Sequence, residues 1–231
     1  MMSGRRRVQE ALLDRLIALI VSGHYPESAT LPNERELALE FNVSRTALRE
    51  AMQFLNAQGM VRSRTRAGTV VLPRENWNLL EPTILGAAMQ HGAGRGLYPA
   101  LLEARMLLEP EAAAKAAERA TARQLSAIED AYLGMVAAES RSTDDWSSAD
   151  LGFHTAIIEA SGNPIYRQFG SAIRAALLAS FQLTNRITPS HAEVLRLHHC
   201  VLDAIRLRRP AEARQAMVTL IAKAQADLKD A

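Results

Sequence analysis

Leu31-Pro32-Asn33-Glu34-Arg35-Glu36-Leu37-Ala38, followed by Phe41-Asn42-Val43-Ser44-Arg45-Thr46-Ala47-Leu48-Arg49-Glu50-Ala51, is the stretch that decides the fold of this chain. Thr30 to Glu36 reads as a loop and cap before a short helix through Glu40. Phe41-Asn42-Val43 is a tight turn, since Asn tolerates the left-handed conformation that turns often demand. Ser44 then caps a further helix to about Gln58, with Gly59 at its end. Upstream, Val8, Leu12, Leu16, Leu19 and Ile20 recur at helical spacing, which predicts a helix from about Arg7 to Ser22 stopped by Gly23. Downstream, Met60–Arg64 and Thr69–Leu72 are two β-favouring runs around a turn at Thr65–Gly68, the pattern of a hairpin.

Three helices with a tight turn before the third, then a basic hairpin, make a winged helix-turn-helix pattern. In such units the third helix enters the DNA major groove with its N-terminal residues leading. Here those residues are Ser44, Arg45, Thr46 and Arg49, with Arg45 and Arg49 four apart on one face. Two guanidinium forks, two hydroxyls and a helix N-terminus are groups that hold phosphates and read guanine edges. Arg35, at the start of the second helix, can reach the same backbone, and Arg62, Arg64 and Arg66 lie on or near the hairpin. Arg66 with Gly68 is placed to enter a minor groove. Charge follows the same division. Residues 1–74 hold eleven basic side chains, all arginine, against seven acidic ones, and the remainder is slightly acidic. Such asymmetry points to one end meeting a polyanion.

The remaining chain is of another kind. With 231 residues and 48% apolar side chains, there is enough material for two small cores. No apolar run approaches the roughly 18 residues of a membrane span, and the N-terminus lacks a signal-peptide pattern, so a cytoplasmic protein is expected. A single cysteine, Cys200, excludes an intramolecular disulfide and a Cys-rich zinc module. Composition shifts near residues 72–82, and from Tyr98 onward the 3.6 period predicts helices at about 98–119, 121–140, 143–161, 164–185, 190–208 and 210–230. Polar residues on the apolar faces of these helices are the informative ones. Asp150 and His154 share a face, His198 lies in the apolar stripe of its helix, and Arg105 shares a face with Glu109. An Asp and a His at i,i+4 with a second inward His is compatible with a divalent transition metal. The same residues also suit hydrogen-bonded core histidines, and Arg105–Glu109 suits a structural ion pair.

The order Leu-Pro-Asn-Glu-Arg-Glu-Leu-Ala from Leu31, Val-Ser-Arg-Thr-Ala-Leu-Arg-Glu-Ala from Val43, and Gly59-Met60-Val61 resembles the GntR family of bacterial transcription regulators over roughly residues 8–72. The departures are Asn33, where serine is usual, and Ala67, where glycine is common. The resemblance implies that Arg35, Arg45, Thr46, Arg49 and the wing at Arg66–Gly68 contact DNA, and position adds Ser44 at the start of the third helix. Glu103-Ala104-Arg105…Glu109, Asp150-Leu151-Gly152-Phe153-His154 and His198…Asp203 are similar to the FCD ligand-binding domain over about residues 98–222. That resemblance implies a dimer and a metal held by one Asp and three His, completed by a carboxylate effector. Asp150, His154 and His198 match three ligand positions, whereas Leu220 stands where the fourth histidine falls. Arg105 is then the candidate for the effector's carboxylate, with Glu109, Asp150, His154 and His198 around it. The junction Asn76–Leu80 is similar to that of sugar-acid-responsive members of the family.

The expected fold is mainly α: a winged helix-turn-helix at 1–74, a linker at 75–97, and an all-α effector-binding and dimerisation bundle at 98–231. The expected protein is no enzyme. It is a homodimeric regulator, a repressor released from a palindromic DNA operator by a small organic acid, with zinc or a similar divalent metal as its cofactor. Two rivals fit less of the chain. A metal-dependent hydrolase on Asp150, His154 and His198 has no further base or nucleophile beside them and leaves the first 74 residues unexplained. A sequence-independent nucleic-acid binder does not account for the ordered motifs.

Overall fold

The computed structural model describes residues 2–64, 68–91, 94–187 and 191–229, and these fall into two compact units, Met1–Arg95 and Gly96–Ala231. The first unit begins with α1 (Met2–Val21), which starts earlier than its apolar pattern predicts and ends at Gly23 with φ +82°. Leu12, Leu16, Ile17 and Ile20 are its buried stripe. Helix α2 (Glu34–Glu40) is capped by Asn33, whose side chain accepts from the amides of Arg35 and Glu36, while Glu36 accepts the Asn33 amide. Asn33 thus does the work of the family's usual serine. Asn42 adopts φ +53° in the turn that follows, and Ser44 Oγ accepts the Ala47 amide to start α3 (Arg45–Ala57).

The hairpin is antiparallel, β1 (Val61–Arg64) against β2 (Gly68–Val71), with Val61 opposite Val71. Its outer edge is covered by the loop after α1. Leu31 donates to Thr69, Val71 to Ala29 and Ser28 to Val71, all through backbone groups. A covered edge removes a site of unwanted strand pairing. The tip at 65–67, Arg66 included, lies outside the described residues.

The stretch expected as a linker carries structure. A short 3-10 turn (Arg74–Asn76) is followed by α4 (Pro82–Gln90), with Glu81 accepting the Thr83 amide and proline at the first helical position. Ile84, Leu85, Ala88 and Met89 are buried and α4 packs on α1. Nine residues made a weaker periodic signal than the alanine-rich run beyond. Trp77 anchors the approach to α4 by donating Nε1–H to the Leu72 carbonyl, with the Arg74 guanidinium over its ring.

Six helices among the described residues make up the second unit: α5 (Gly94–Arg119), whose first two residues fall in the first unit, α6 (Ala122–Ala138), α7 (Thr143–Ala160), α8 (Pro164–Ile187), α9 (His191–Arg206) and α10 (Pro210–Lys229). Their core joins small residues of α5, notably Ala112, Ala113, Ala116 and Ala117, to Trp146, Phe153, Ile157, Val201, Ile205, Met217 and Ile221. Arg208, at φ +58° in the α9–α10 turn, donates to the carbonyls of Ala117 and Ala120 and so satisfies the C-terminus of α5.

Gly59 shows how tightly the first unit is closed. Its φ is +72°, and a Cβ there would lie 2.1 Å from the Asn76 carbonyl oxygen. Gly23 has a similar φ of +82° but nothing within 4 Å of that point. Gly23→Ala therefore carries only the left-handed cost of about 1–2 kcal/mol. Gly59→Ala adds a backbone collision and is expected to destabilise the protein distinctly more in urea unfolding; equal losses would contradict the collision.

Candidate functional site

The first unit presents one exposed polar face. Leu48, Ala51, Met52 and Leu55 of α3 are buried, and Arg45, Thr46 and Arg49 stand exposed on the other side. Ser44 and Arg35 are exposed as well. No acidic residue lies in the first turn of α3, so its positive end is not offset locally. Neither Arg45 nor Arg49 has an ion-pair partner among the described residues. Gly68 opens β2 with φ +81°, exposed at the base of the hairpin tip.

The second unit hides its polar residues. Arg105, Glu109, Asp150, His154 and His198 are all at most 5% exposed, and they come from α5, α7 and α9. Arg105 Nε donates to Glu109 Oε1 at 2.7 Å, and its guanidinium lies over the Phe181 ring, 4.5 Å from the centroid. Glu109 Oε2 lies 2.6 Å from His154 Nδ1. His154 Nε2 is 3.3 Å from Asp150 Oδ1, and His198 Nε2 is 3.1 Å from the same oxygen. His198 Nδ1 donates to the Val194 carbonyl at 2.8 Å. Asn185 of α8 donates to Asp150 Oδ2 and to Ser147 Oγ, fixing the plane of the carboxylate.

Burial opposes ionisation of Glu109, but the Arg105 cation and His154 outweigh it and hold the carboxyl at about 2. Burial likewise opposes ionisation of Asp150, and its two histidine partners hold it well below the usual carboxylate range. Burial pushes His154 down, and Glu109 and Asp150 push it up further.

These contacts decide where the ring protons sit. An ionised Glu109 and the Val194 carbonyl can only accept, so both Nδ1 atoms carry hydrogen. With a metal in place both rings would be neutral, and each Nε2, which already faces Asp150 Oδ1, would offer it a lone pair. Their separations of 3.1 and 3.3 Å suit a tetrahedral ion, whose bonds of about 2.0–2.1 Å set ligand atoms roughly 3.3–3.4 Å apart. Glu109 and the Val194 carbonyl stand where outer partners would orient metal-bound histidines. On donor set and spacing, Asp150, His154 and His198 fit a divalent transition metal.

A small cavity of about 30 Å³, open to solvent, meets this cluster. Arg105, Asp150, His154 and His198 line it together with Phe181, Asn185, Lys223 and Asp227. Leu220 is in the wall as well and supplies no donor atom there. His191 stacks on Trp146 at 4.3 Å and His199 pairs with Asp203 at 3.1 Å, so neither replaces the fourth histidine. Sequence reasoning missed Phe181, Asn185, Lys223 and Asp227. The spacing of Lys223 and Asp227 from Leu220, at i+3 and i+7 on one helix face, was the signal available for two of them.

Two family models match the chain: that of the bacterial regulatory proteins of the gntR family over residues 8–71, and the FCD domain over residues 100–223. The galactonate operon transcriptional repressor of Escherichia coli is 34% identical over 91% of this chain and 92% of its own length. The chain belongs to the GntR family and carries an FCD domain. It is therefore related to transcription regulators with a DNA-binding helix-turn-helix. The transcriptional repressor NanR of Klebsiella aerogenes is 29% identical over 93% of this chain and 83% of its own length. Among solved structures, Streptococcus agalactiae GntR has a TM-score of 0.53 at 29% identity, covering 96% of this chain and 100% of that one. Lar, which controls the Listeria monocytogenes agr system, reaches 0.63 at 19% identity and 96% coverage of both chains, a likeness of fold. No helix among the described residues is long and apolar enough to cross a membrane.

The Arg105–Glu109 pair is fully buried, so removing one charge strands the other. Glu109→Gln is expected to destabilise the protein by about 3–5 kcal/mol, read by urea unfolding of the full chain. A loss under about 1 kcal/mol would show that Arg105 does not depend on Glu109.

Proposed function

We propose that this GntR-family regulator is a repressor that binds a palindromic operator as a homodimer and is released by a small organic acid, with a sugar acid the favoured signal. The observation that carries the DNA half is the face at the capped N-terminus of α3. Arg45, Thr46 and Arg49 are exposed there, unopposed by any acidic residue in the first turn. Arg49 and Arg45 reach base edges, Ser44, Thr46 and Arg35 hold phosphates, and Gly68 lets the wing approach the backbone closely. Two such helices related by dimer symmetry meet successive half-sites. The reading places the protein in the cytoplasm with its DNA and assigns it no enzymatic activity.

The signal half rests on the cavity. Arg105 and the Asp150, His154 and His198 cluster line one open pocket, and the similarity to the galactonate operon repressor supports a sugar acid. Asp150, His154 and His198 would hold the divalent ion, which when bound supplies positive charge for a carboxylate. Arg105 orients the acid with the part of its fork that Glu109 leaves open, and Glu109 and Val194 keep both histidines in the tautomer the site needs. Acid binding releases DNA only by favouring a dimer state whose recognition helices no longer match the half-sites.

Binding of the full chain to its own upstream DNA, at fixed salt and with a panel of sugar acids, tests the reading. Specific binding released by one acid is expected; binding without sequence preference would overturn it. Arg49→Ala is expected to weaken specific binding by about 1–3 kcal/mol, and unchanged operator affinity would remove Arg49 from the base-reading set. Zinc dialysis of the same protein should leave about one ion per chain in the wild type and far less in His198→Ala. Equal metal content in both would remove the metal from the reading.

A further inference from the structure

Helix α10 gives the cavity one of its walls. Leu220, Lys223, Ala224 and Asp227 line it at i, i+3, i+4 and i+7. One turn earlier the same stripe is core, with Ala213 and Met217 fully buried. The face thus turns from apolar to charged where it meets the pocket. Lys223 Nζ donates to Asp227 Oδ1 at 2.5 Å, with the side chains 23% and 11% exposed.

Helix stability does not explain that pair. A lysine N-terminal to an acid at i,i+4 is the less favourable orientation. Asp227 also sits in the last turn of α10, at the negative end of the helix dipole. Both groups give up hydration at a cavity wall. What the pair offers is a donor and an ionised acceptor side by side, facing the same space as Arg105 and Asp150.

We propose that Lys223 and Asp227 form the hydroxyl-reading end of the acid pocket, which makes the effector a polyhydroxylated monocarboxylic acid. This rests on the organic-acid reading above. A hydroxyl accepts from Lys223 and donates to Asp227 at once, and so enters the pair without breaking its charge balance. A second carboxylate has nothing to donate and meets the like charge of Asp227. A three-carbon 2-hydroxy acid has its hydroxyl beside its carboxylate and leaves none for α10. The Phe181 ring, which already faces Arg105, supplies an apolar surface for the C–H groups of a sugar chain.

Calorimetric titration of the full chain, at matched metal content, separates the alternatives. The ligands are a six-carbon aldonic acid, the aldaric acid of the same carbon chain, and lactate. The wild type is expected to bind the aldonic acid most tightly. Asp227→Asn, which keeps the shape and removes the charged acceptor, is expected to weaken the aldonic acid about tenfold or more and lactate less than twofold. Lys223→Gln is expected to give the same split and carries the test if Asp227→Asn fails to fold. Equal losses for both acids, no loss, or tighter wild-type binding of the aldaric acid would overturn the assignment to Lys223 and Asp227. Failure of the wild type to bind any of the three acids would instead overturn the acid-effector reading on which it rests.

Discussion

The buried charged cluster of the helical unit is organised around one oxygen, Oδ1 of Asp150, which both His154 and His198 face with Nε2. A buried carboxylate beside two neutral imidazole lone pairs is unfavourable unless a positive charge joins them. The fold therefore has to deliver a cation, a proton or a metal to that point. It also has to keep the outer nitrogens occupied, so that the inner ones are the atoms that face Asp150. Glu109 does this for His154 and the Val194 carbonyl for His198. Glu109 is in turn held ionised by Arg105, so a contact chain runs from α5 through α7 to α9.

That chain explains the packing around it. Buried alanines of α5 share one core with Trp146, Phe153 and Ile157 of α7, the helix that carries Asp150 and His154. Asn185 from α8 and the Lys223 and Asp227 side chains from α10 then close the surroundings. The α3 face obeys the opposite rule. Arg45 and Arg49 remain in water, cost the fold little, and in the proposed reading keep their guanidinium groups available for phosphate and base edges. Charge is buried and satisfied in one unit, and exposed for a partner in the other.

Much of this was legible in the residues. Asn33, Asn42 and Ser44 act locally, as caps and turn, so their roles follow from neighbours in sequence. The shared face of Asp150 and His154 is set by i,i+4 geometry within one helix, and the inward aspect of His198 by its apolar stripe. The contact of Glu109 with His154 joins α5 to α7, and no spacing within one helix announces it. Asn185 is 35 positions from the oxygen it orients, and Phe181 meets Arg105 across the bundle. The cavity itself is a gap between helices, so the meaning of Lys223 and Asp227 emerges only when α10 is set beside α7 and α9. Helix α4 was missed for a simpler reason: nine residues between two charged, proline-bearing segments read as linker.

In the proposed regulator the buried cluster and the α3 face are two ends of one equilibrium. Thermodynamic linkage makes it testable in a single quantity. The acid's affinity for the free protein and for the operator-bound protein should differ by the same factor by which saturating acid weakens operator binding. Measuring both at one salt concentration is the most direct test. Equal factors above about fivefold are the predicted result. An acid that binds free and operator-bound protein alike would contradict the account, whatever its affinity.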